Sequence, residues 1–272
     1  MMWQKQRYMA IMGLIIVALL LFKGMVAFAA NTTSVLGGGV TINEILPDPS
    51  GSTYDTDTDG NGTAASTDEF VELYNLSGSA IDISGWQLWD AGRGNWFTFP
   101  GAPGSNTTVL ASGAYAHVLV GVQTGGSLPT MTNPNSLAFD AGWGSAVIND
   151  VGDNVVLYDP GQDEYIQLIF NGVAPDDPPN DYNGFSDTAT RVGPIEDWGN
   201  DLDGVSLVRS PSGDANVVQH QSAYGTTASP NAVIFAGMNA RGGIGNEILI
   251  ALLIGFSVLL FLGFWLRRRT ET

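Results

Sequence analysis

Apolar and polar side chains alternate along much of the chain, as they do in β-strands. In residues 69–74, Val71 and Leu73 lie on one face, while Glu72 and Tyr74 lie on the other. This period of two predicts a half-buried antiparallel strand with one apolar face and one mixed face. Asn75 and the serines and glycine that follow it predict a turn at the end of this strand.

Further strands are predicted by the same alternation, and glycine, proline and asparagine turns separate them. The predicted strands are residues 40–46, 69–74, 81–83, 86–88, 95–99, 115–120, 154–158, 164–170 and 205–209. Strands at this spacing indicate an all-β sandwich. Two long insertions, residues 121–144 and 174–203, are candidate binding loops, although simple tolerance of long loops would explain them equally well.

The N-terminal residues have the three parts of a secretory signal. Lys5 and Arg7 are basic, residues 8–22 are apolar, and the small residues around Ala27 and Ala29 form a cleavage site. We therefore predict a signal peptide over residues 1–29, followed by a leader over 30–39. The alternative is an uncleaved anchor, but the apolar run is shorter than the roughly 20 residues that a membrane-spanning helix needs.

The C-terminal region contains a second apolar run, residues 248–266, which carries no charge. At about 1.5 Å per residue, this run is long enough to cross a bilayer. Three arginines follow it and predict a cytoplasmic tail, residues 267–272, with the bulk of the chain outside a single-pass cell membrane. A glycine-rich linker, residues 232–247, precedes the helix. This order also resembles substrates of sorting enzymes, so cleavage of the C-terminal segment stays open.

The region between the two apolar runs is strongly acidic. The formal net charge of the chain is −17, and only four arginines and no lysine lie between Ala30 and Asn246. This charge opposes binding to nucleic acid and leaves cations, basic surfaces, surface proteins and neutral glycans as partners. Alternatively, the charge only keeps an exposed protein soluble. The membrane is a further partner, through the C-terminal helix. The chain has no cysteine, so a hydrophobic core must hold the domain without disulfide bonds.

Several segments together resemble the lamin tail domain, an immunoglobulin-like β-sandwich. The resemblance covers residues 40–231 and implies this fold, in a member of the secreted or membrane-anchored bacterial type. It implies a scaffold more than one activity. The segments that carry it are Ile42-Asn43-Glu44-Ile45-Leu46, Glu69-Phe70-Val71-Glu72-Leu73-Tyr74-Asn75, Ile81-Asp82-Ile83-Ser84-Gly85-Trp86-Gln87-Leu88, Gly152-Asp153-Asn154-Val155-Val156-Leu157-Tyr158-Asp159, Gly204-Val205-Ser206-Leu207-Val208-Arg209 and Ser229-Pro230-Asn231.

One acidic loop has the spacing of calcium ligands. Asp55, Asp57, Asp59 and Asn61 occupy alternate positions, as the oxygen ligands of EF-hand loops do. Ser66 stands where such a loop has its bidentate glutamate. We expect Asp68 or Glu69 to supply the missing ligand if the loop folds back, whereas a solvated acidic turn would explain the same residues.

Catalytic motifs are not evident in the sequence. His117 is predicted on the surface of a sheet, and His220 has no periodic partner. Acid pairs at 176–177 and 196–197 would suit a glycosidase, but pairs arise by chance in so acidic a chain. We therefore predict a non-enzymatic surface protein in adhesion, envelope organisation or protein interaction, with an envelope hydrolase as the weakest alternative.

Exposed tryptophans suggest a further alternative, a platform that stacks on glycan rings. Trp86 is predicted in the core, whereas Trp89, Trp143 and Trp198 are the candidates for exposure. Recognition that depends on calcium or on a glycan is therefore the alternative to the scaffold interpretation.

Overall fold

The computed structural model describes residues 32–131, 133–176, 179 and 182–228. The predicted signal peptide, linker, membrane helix and basic tail lie outside these residues. Within the part of the chain that is described, no helix is long and apolar enough to cross a membrane.

The described residues contain fourteen strands and two short helices. The strands are β1 (Val40–Leu46), β2 (Phe70–Asn75), β3 (Ile81–Asp82), β4 (Gln87–Asp90), β5 (Gly94–Thr98), β6 (Val109–Leu110), β7 (Tyr115–Leu119), β8 (Leu137–Asp140), β9 (Asn154–Asp159), β10 (Glu164–Ile169), β11 (Thr190–Arg191), β12 (Glu196–Asp197), β13 (Leu207–Arg209) and β14 (Val217–Gln219). A 3-10 helix spans Ser66–Asp68, and helix α1 spans His220–Tyr224.

The strands form a sandwich of two main sheets. The first sheet has the order β14-β13-β1-β2-β7-β8, and the second has the order β11-β10-β9-β4-β5 with β12 also paired to β10. A small third sheet pairs β3 with β6. The structure is thus consistent with the all-β, immunoglobulin-like sandwich that the sequence predicts.

A β-bulge in β1 explains why two isoleucines three positions apart both reach the core. Ile42 pairs with Leu73 and Glu44 pairs with Glu72, so Asn43 is the extra residue. Ile42 and Ile45 therefore both join the core between the sheets, although strict alternation would separate them.

The mixed face of the first sheet is buried, which corrects the prediction of half-buried strands. Every residue of β1 is buried, and Glu72 and His117 have no exposed surface. Leu46, Phe70 and Leu119 pack with Ala228 on this outer face. The chain after β14 returns across the sheet, and there the carbonyl of Thr227 accepts a hydrogen bond from the N–H of Ser206.

Both insertions contribute to the scaffold. The first supplies β8, which pairs in parallel with β7. The second supplies β11 and β12. It also supplies Tyr182 and Phe185, which cover the outer face of the second sheet by packing on Trp89, Tyr158 and Tyr165.

Candidate cation-binding loop

The acidic loop between β1 and β2 is shaped by hydrogen bonds to its own carboxylates. Oδ1 of Asp57 accepts the N–H groups of Gly60 and Asn61, at 2.8 and 3.2 Å. Its Oδ2 accepts the N–H of Gly62 at 2.6 Å. Gly60 and Gly62 have φ angles of 75° and 95°, so glycine suits the tight turn around this carboxylate.

Asp68 closes the loop from its far end. Its Oδ1 accepts the N–H of Thr58 at 2.8 Å and the N–H of Asp59 at 3.1 Å. Its Oδ2 accepts the N–H of Ala65 at 2.9 Å, which fixes the 3-10 helix that carries it. The loop therefore folds back and places the Asp68 carboxylate against Thr58 and Asp59.

Three carboxylates converge at this point. One oxygen atom from each of Asp57, Asp59 and Asp68 lies within 4.8 Å of the other two. Asp59 is only 3% exposed and Asp68 is fully buried. Among the described residues, no arginine hydrogen-bonds to these acids. Buried carboxylates are ordinarily paired or bound to a metal, so this arrangement suits a cation with oxygen ligands.

The first insertion holds Asp59 from the other side. Oδ2 of Asp59 accepts the N–H of Gln123 at 2.7 Å, and its backbone carbonyl accepts the N–H of Ser127 at 2.8 Å. A Cβ atom on Gly126 would lie 2.3 Å from the carboxyl carbon of Asp59. Only glycine therefore allows the insertion to approach this closely.

The four residues predicted as calcium ligands have different positions. Asp57 and Asp59 belong to the cluster of three carboxylates, whereas Asp55 is exposed and accepts the N–H of Gly51. Asn61 donates from Nδ2 to Oδ2 of Asp59, at 3.3 Å, so it lies beside the cluster. Of the two fold-back candidates, Asp68 joins the cluster.

Glu69, the other fold-back candidate, serves the scaffold. Its Oε2 accepts the N–H groups of Val147 and Ile148, both at 2.8 Å. Burial raises the pKa of its carboxyl to about 8 against these two hydrogen bonds, and the negative charges of Asp150 and Asp48 add to the rise.

The structure corrects the predicted exposure of two tryptophans. Trp89 and Trp198, which the sequence predicts as exposed, are only 4% and 5% exposed. Trp143 is half-buried and donates from Nε1 to the carbonyl of Trp96 at 2.9 Å. Trp86 lies in the core, as predicted.

Both histidines are buried, and one member of the acid pairs, Glu196, is held by an arginine. His117 is fully buried, so the prediction that it lies on the sheet surface is wrong, because the outer face of the sheet is covered. His220 is buried as well. Oε2 of Glu196 accepts a hydrogen bond from Arg209 at 2.5 Å. Asp177, from the other acid pair, lies outside the described residues.

Comparison with known protein families identifies a match over part of the chain. A family model described as Lamin Tail Domain matches residues 34–172, just over half of the chain. A search of curated proteins finds no match. The matched range ends before β13, yet β13 pairs with β1 through Glu44–Val208 and Ile45–Leu207. The sandwich therefore continues beyond the matched residues.

Proposed function

The chain belongs to the lamin tail domain family, and we propose that it is a non-enzymatic, membrane-anchored surface member that acts in adhesion, envelope organisation or protein interaction. Family membership carries this proposal, because the fold supplies a scaffold rather than a particular chemistry. The uncharged run at 248–266 and the three arginines after it support the anchor. The burial of both histidines supports a non-catalytic role for them.

Cell fractionation tests the membrane and surface parts of this proposal. The full chain, expressed in a bacterial host, is expected in the membrane fraction, and protease added outside cells with a permeable outer barrier should digest the sandwich. Substituting Leu259→Arg and Leu260→Arg places two charges within the apolar run and should release the chain from the membrane. A wild-type chain that stays soluble in the cytosol would contradict the proposal.

A second function, recognition that depends on calcium, is favoured by one observation. The carboxylates of Asp57, Asp59 and Asp68 converge within 4.8 Å, and two of them are buried without an arginine contact among the described residues. Bound calcium would neutralise these charges and join the first insertion to the loop through Asp59. Extracellular calcium sites of this kind have a Kd of about 10⁻⁴ to 10⁻³ M.

Thermal unfolding with added calcium tests the site. A ligand of the folded state at about 100 times its Kd adds about 2.7 kcal/mol, so about 10 mM calcium should raise the Tm by several degrees. Asp57→Asn should abolish the calcium-dependent rise. Asp55→Asn is the matched control, because Asp55 lies outside the cluster, and it should keep the rise. Equal shifts in both variants, or no shift in the wild type, would exclude this site.

A further inference from the structure

A cleft of about 650 Å³ opens between the edges of the two sheets. Glu196, Asp197 and Trp198 line one side, where β12 ends the second sheet, and Asn216 and Val217 line the other side, at β14 of the first sheet. The cleft is therefore bounded by an edge strand from each layer of the sandwich.

Hydrogen bonds fix the residues around this cleft. The N–H of Ser34 donates to Oε1 of Glu196 at 2.6 Å, and its Oγ donates to the carbonyl of Pro194 at 2.8 Å, which holds the chain before β1 against β12. Nε2 of Gln219 donates to the carbonyl of Asn200 at 3.3 Å, which joins β14 to the chain after β12.

The backbone of β14 has unused hydrogen-bonding groups on its outer side. The N–H of Ser210 donates to the carbonyl of Asn216, and the N–H of His220 donates to the carbonyl of Ser206. Bonded pairs alternate along an antiparallel ladder, so Val217 and Gln219 direct their N–H and C=O groups away from β13. Among the described strands, none pairs with this side of β14.

The backbone of β12 has the same property. The N–H of Trp198 donates to the carbonyl of Ile169, and Ile169 pairs with Asp197 in a parallel register. In this register the bonds to β10 come from the residues on either side of Asp197. The N–H and C=O groups of Asp197 therefore point away from β10, and Asp197 lines the cleft.

The charge of the cleft is negative. The carboxylate of Asp197 is exposed and accepts only the N–H of Gly199 among the described groups, at 2.9 Å. The carboxylate of Glu196 pairs with Arg209, 2.5 Å away, so the uncompensated negative charge is that of Asp197. No basic side chain lines the described walls of the cleft. A ligand that fits here needs an extended backbone and a positive charge.

We infer that this cleft binds an extended peptide segment with a central lysine or arginine, which adds as a strand beside β12 or β14 and pairs its cation with Asp197. Strand addition supplies affinity through main-chain hydrogen bonds, and the carboxylate supplies selectivity. The inference rests on the proposed role in protein interaction and names a class of partner for it. Peptide binding does not depend on where the chain is located in the cell. The peptide site and the surface location can therefore each be contradicted without the other.

Fluorescence anisotropy tests the inference with the full chain in detergent micelles and the labelled peptide Thr-Val-Lys-Val-Thr. Saturable binding is expected, and replacing the lysine with glutamate should weaken it by about tenfold, because attraction to Asp197 becomes repulsion. Methylating the two valine amide nitrogens removes backbone donors and should weaken binding by about tenfold. Asp197→Asn keeps the oxygen that accepts from Gly199 and should weaken binding by about threefold.

Asp187→Asn provides the matched control. Asp187 is also exposed, but it precedes Thr190, which pairs with Glu164 at the opposite end of β10. This variant should bind the peptide as the wild type does. Equal losses in the two aspartate variants, equal binding of the glutamate peptide, or no saturable binding would overturn the inference. Binding that appears only after removal of residues 1–31 would assign the cleft to this chain's own N-terminal segment and would also overturn it.

Discussion

Nδ1 of His117 lies 3.9 Å from Oε2 of Glu72, and neither side chain has any exposed surface. Oε1 of Glu72 accepts a hydrogen bond from Nδ2 of Asn43 at 3.0 Å, whereas Oε2 and both ring nitrogens of His117 have no hydrogen-bond partner among the described residues. Burial raises the pKa of Glu72 to about 8 and lowers the pKa of His117 to about 3. Both groups are therefore neutral in the folded domain near pH 7.

Raising the pH from 6.5 to 8 should destabilise the domain. The unfolded chain releases the Glu72 proton near pH 4.5, but the folded chain holds it up to a pKa of about 8. The proton on Glu72 therefore contributes its full stabilisation below pH 4.5, and this contribution is lost as the pH rises through 8. The free energy of unfolding falls by up to about 1.4 kcal/mol per pH unit in this range. The pKa of Glu69, also about 8, adds a loss of the same sign.

Glu72→Gln isolates the contribution of Glu72. Glutamine keeps the oxygen that accepts from Asn43 and cannot ionise, so the loss of stability between pH 6.5 and 8 should be smaller than in the wild type. Urea denaturation at several pH values measures this difference. Glu164→Gln, at the start of β10, is the matched control and should keep the wild-type slope. An unchanged slope in Glu72→Gln would show that Glu72 ionises normally in the folded domain.

His117→Leu should change the response to acid. The unfolded chain protonates His117 near pH 6.5, while the folded chain resists down to about pH 3 because burial lowers the pKa. His117 therefore opposes folding increasingly as the pH falls below 6.5. Leucine cannot be protonated and removes this opposition. When the pH falls from 6.5 to 5, the free energy of unfolding of the variant should therefore rise, relative to that of the wild type, by about 1.4 kcal/mol per pH unit.

Stability at neutral pH provides a second measure of the same variant. Leucine fills similar space beside Phe70, whose ring centroid lies 4.3 Å from the imidazole, and it removes the two buried ring nitrogens that have no hydrogen-bond partner among the described residues. The free energy of unfolding at pH 7 should stay within about 1 kcal/mol of the wild type or rise. A loss larger than this would indicate that the imidazole stabilises the domain.

The sequence predicts the longer strands that are rich in apolar residues and bounded by turn residues, among them β1, β2, β9 and β10. It does not predict β8, β11, β12 and β14, because these strands have two to four residues and depend on the neighbours with which they pair. The burial of the outer sheet faces is also not predictable from local sequence. It depends on Phe185, which packs on β4, β9 and β10, and on Ala228, which packs on β1, β2 and β7, and both residues are distant in sequence from the strands that they cover.

The candidate site shows a similar division between local and distant information. Local spacing identifies Asp57 and Asp59, and a fold-back of the loop suggests Asp68. The spacing also suggests Asp55, but this residue lies elsewhere because it forms a bridge with Ser50. The contact of Asp59 with the first insertion depends on residues more than sixty positions away, which no local pattern contains.

Arg209→Lys should destabilise the domain by about 2 to 4 kcal/mol. Arg209 is only 1% exposed. It donates from Nε to the carbonyl of Ile42 at 2.7 Å, from Nη1 to the carbonyl of Asp214 at 2.9 Å and from Nη2 to Glu196 at 2.5 Å. Lysine keeps the charge but cannot reach all three acceptors, so buried oxygens lose their donors.

Arg93→Lys is the control for this substitution. Arg93 is exposed and donates to Oγ of Ser145 and the carbonyl of Ala146. The same chemical change there should alter the free energy of unfolding by about 0.5 kcal/mol or less. Guanidinium denaturation measures both variants, and equal losses would show that the buried hydrogen bonds of Arg209 add nothing beyond its charge.

Gly204→Ala and Gly104→Ala separate backbone strain from steric overlap. Both glycines have a φ of +76°, so alanine carries the same left-handed strain of about 1 kcal/mol at either position. A Cβ on Gly204 would also lie 2.0 Å from the carbonyl oxygen of Tyr54, whereas one on Gly104 would meet nothing within 4 Å. Gly204→Ala should therefore cost at least about 3 kcal/mol more, because backbone beside the acidic loop must move. Thermal unfolding of both variants measures the difference, and similar Tm values would mean that the chain around Tyr54 yields without cost.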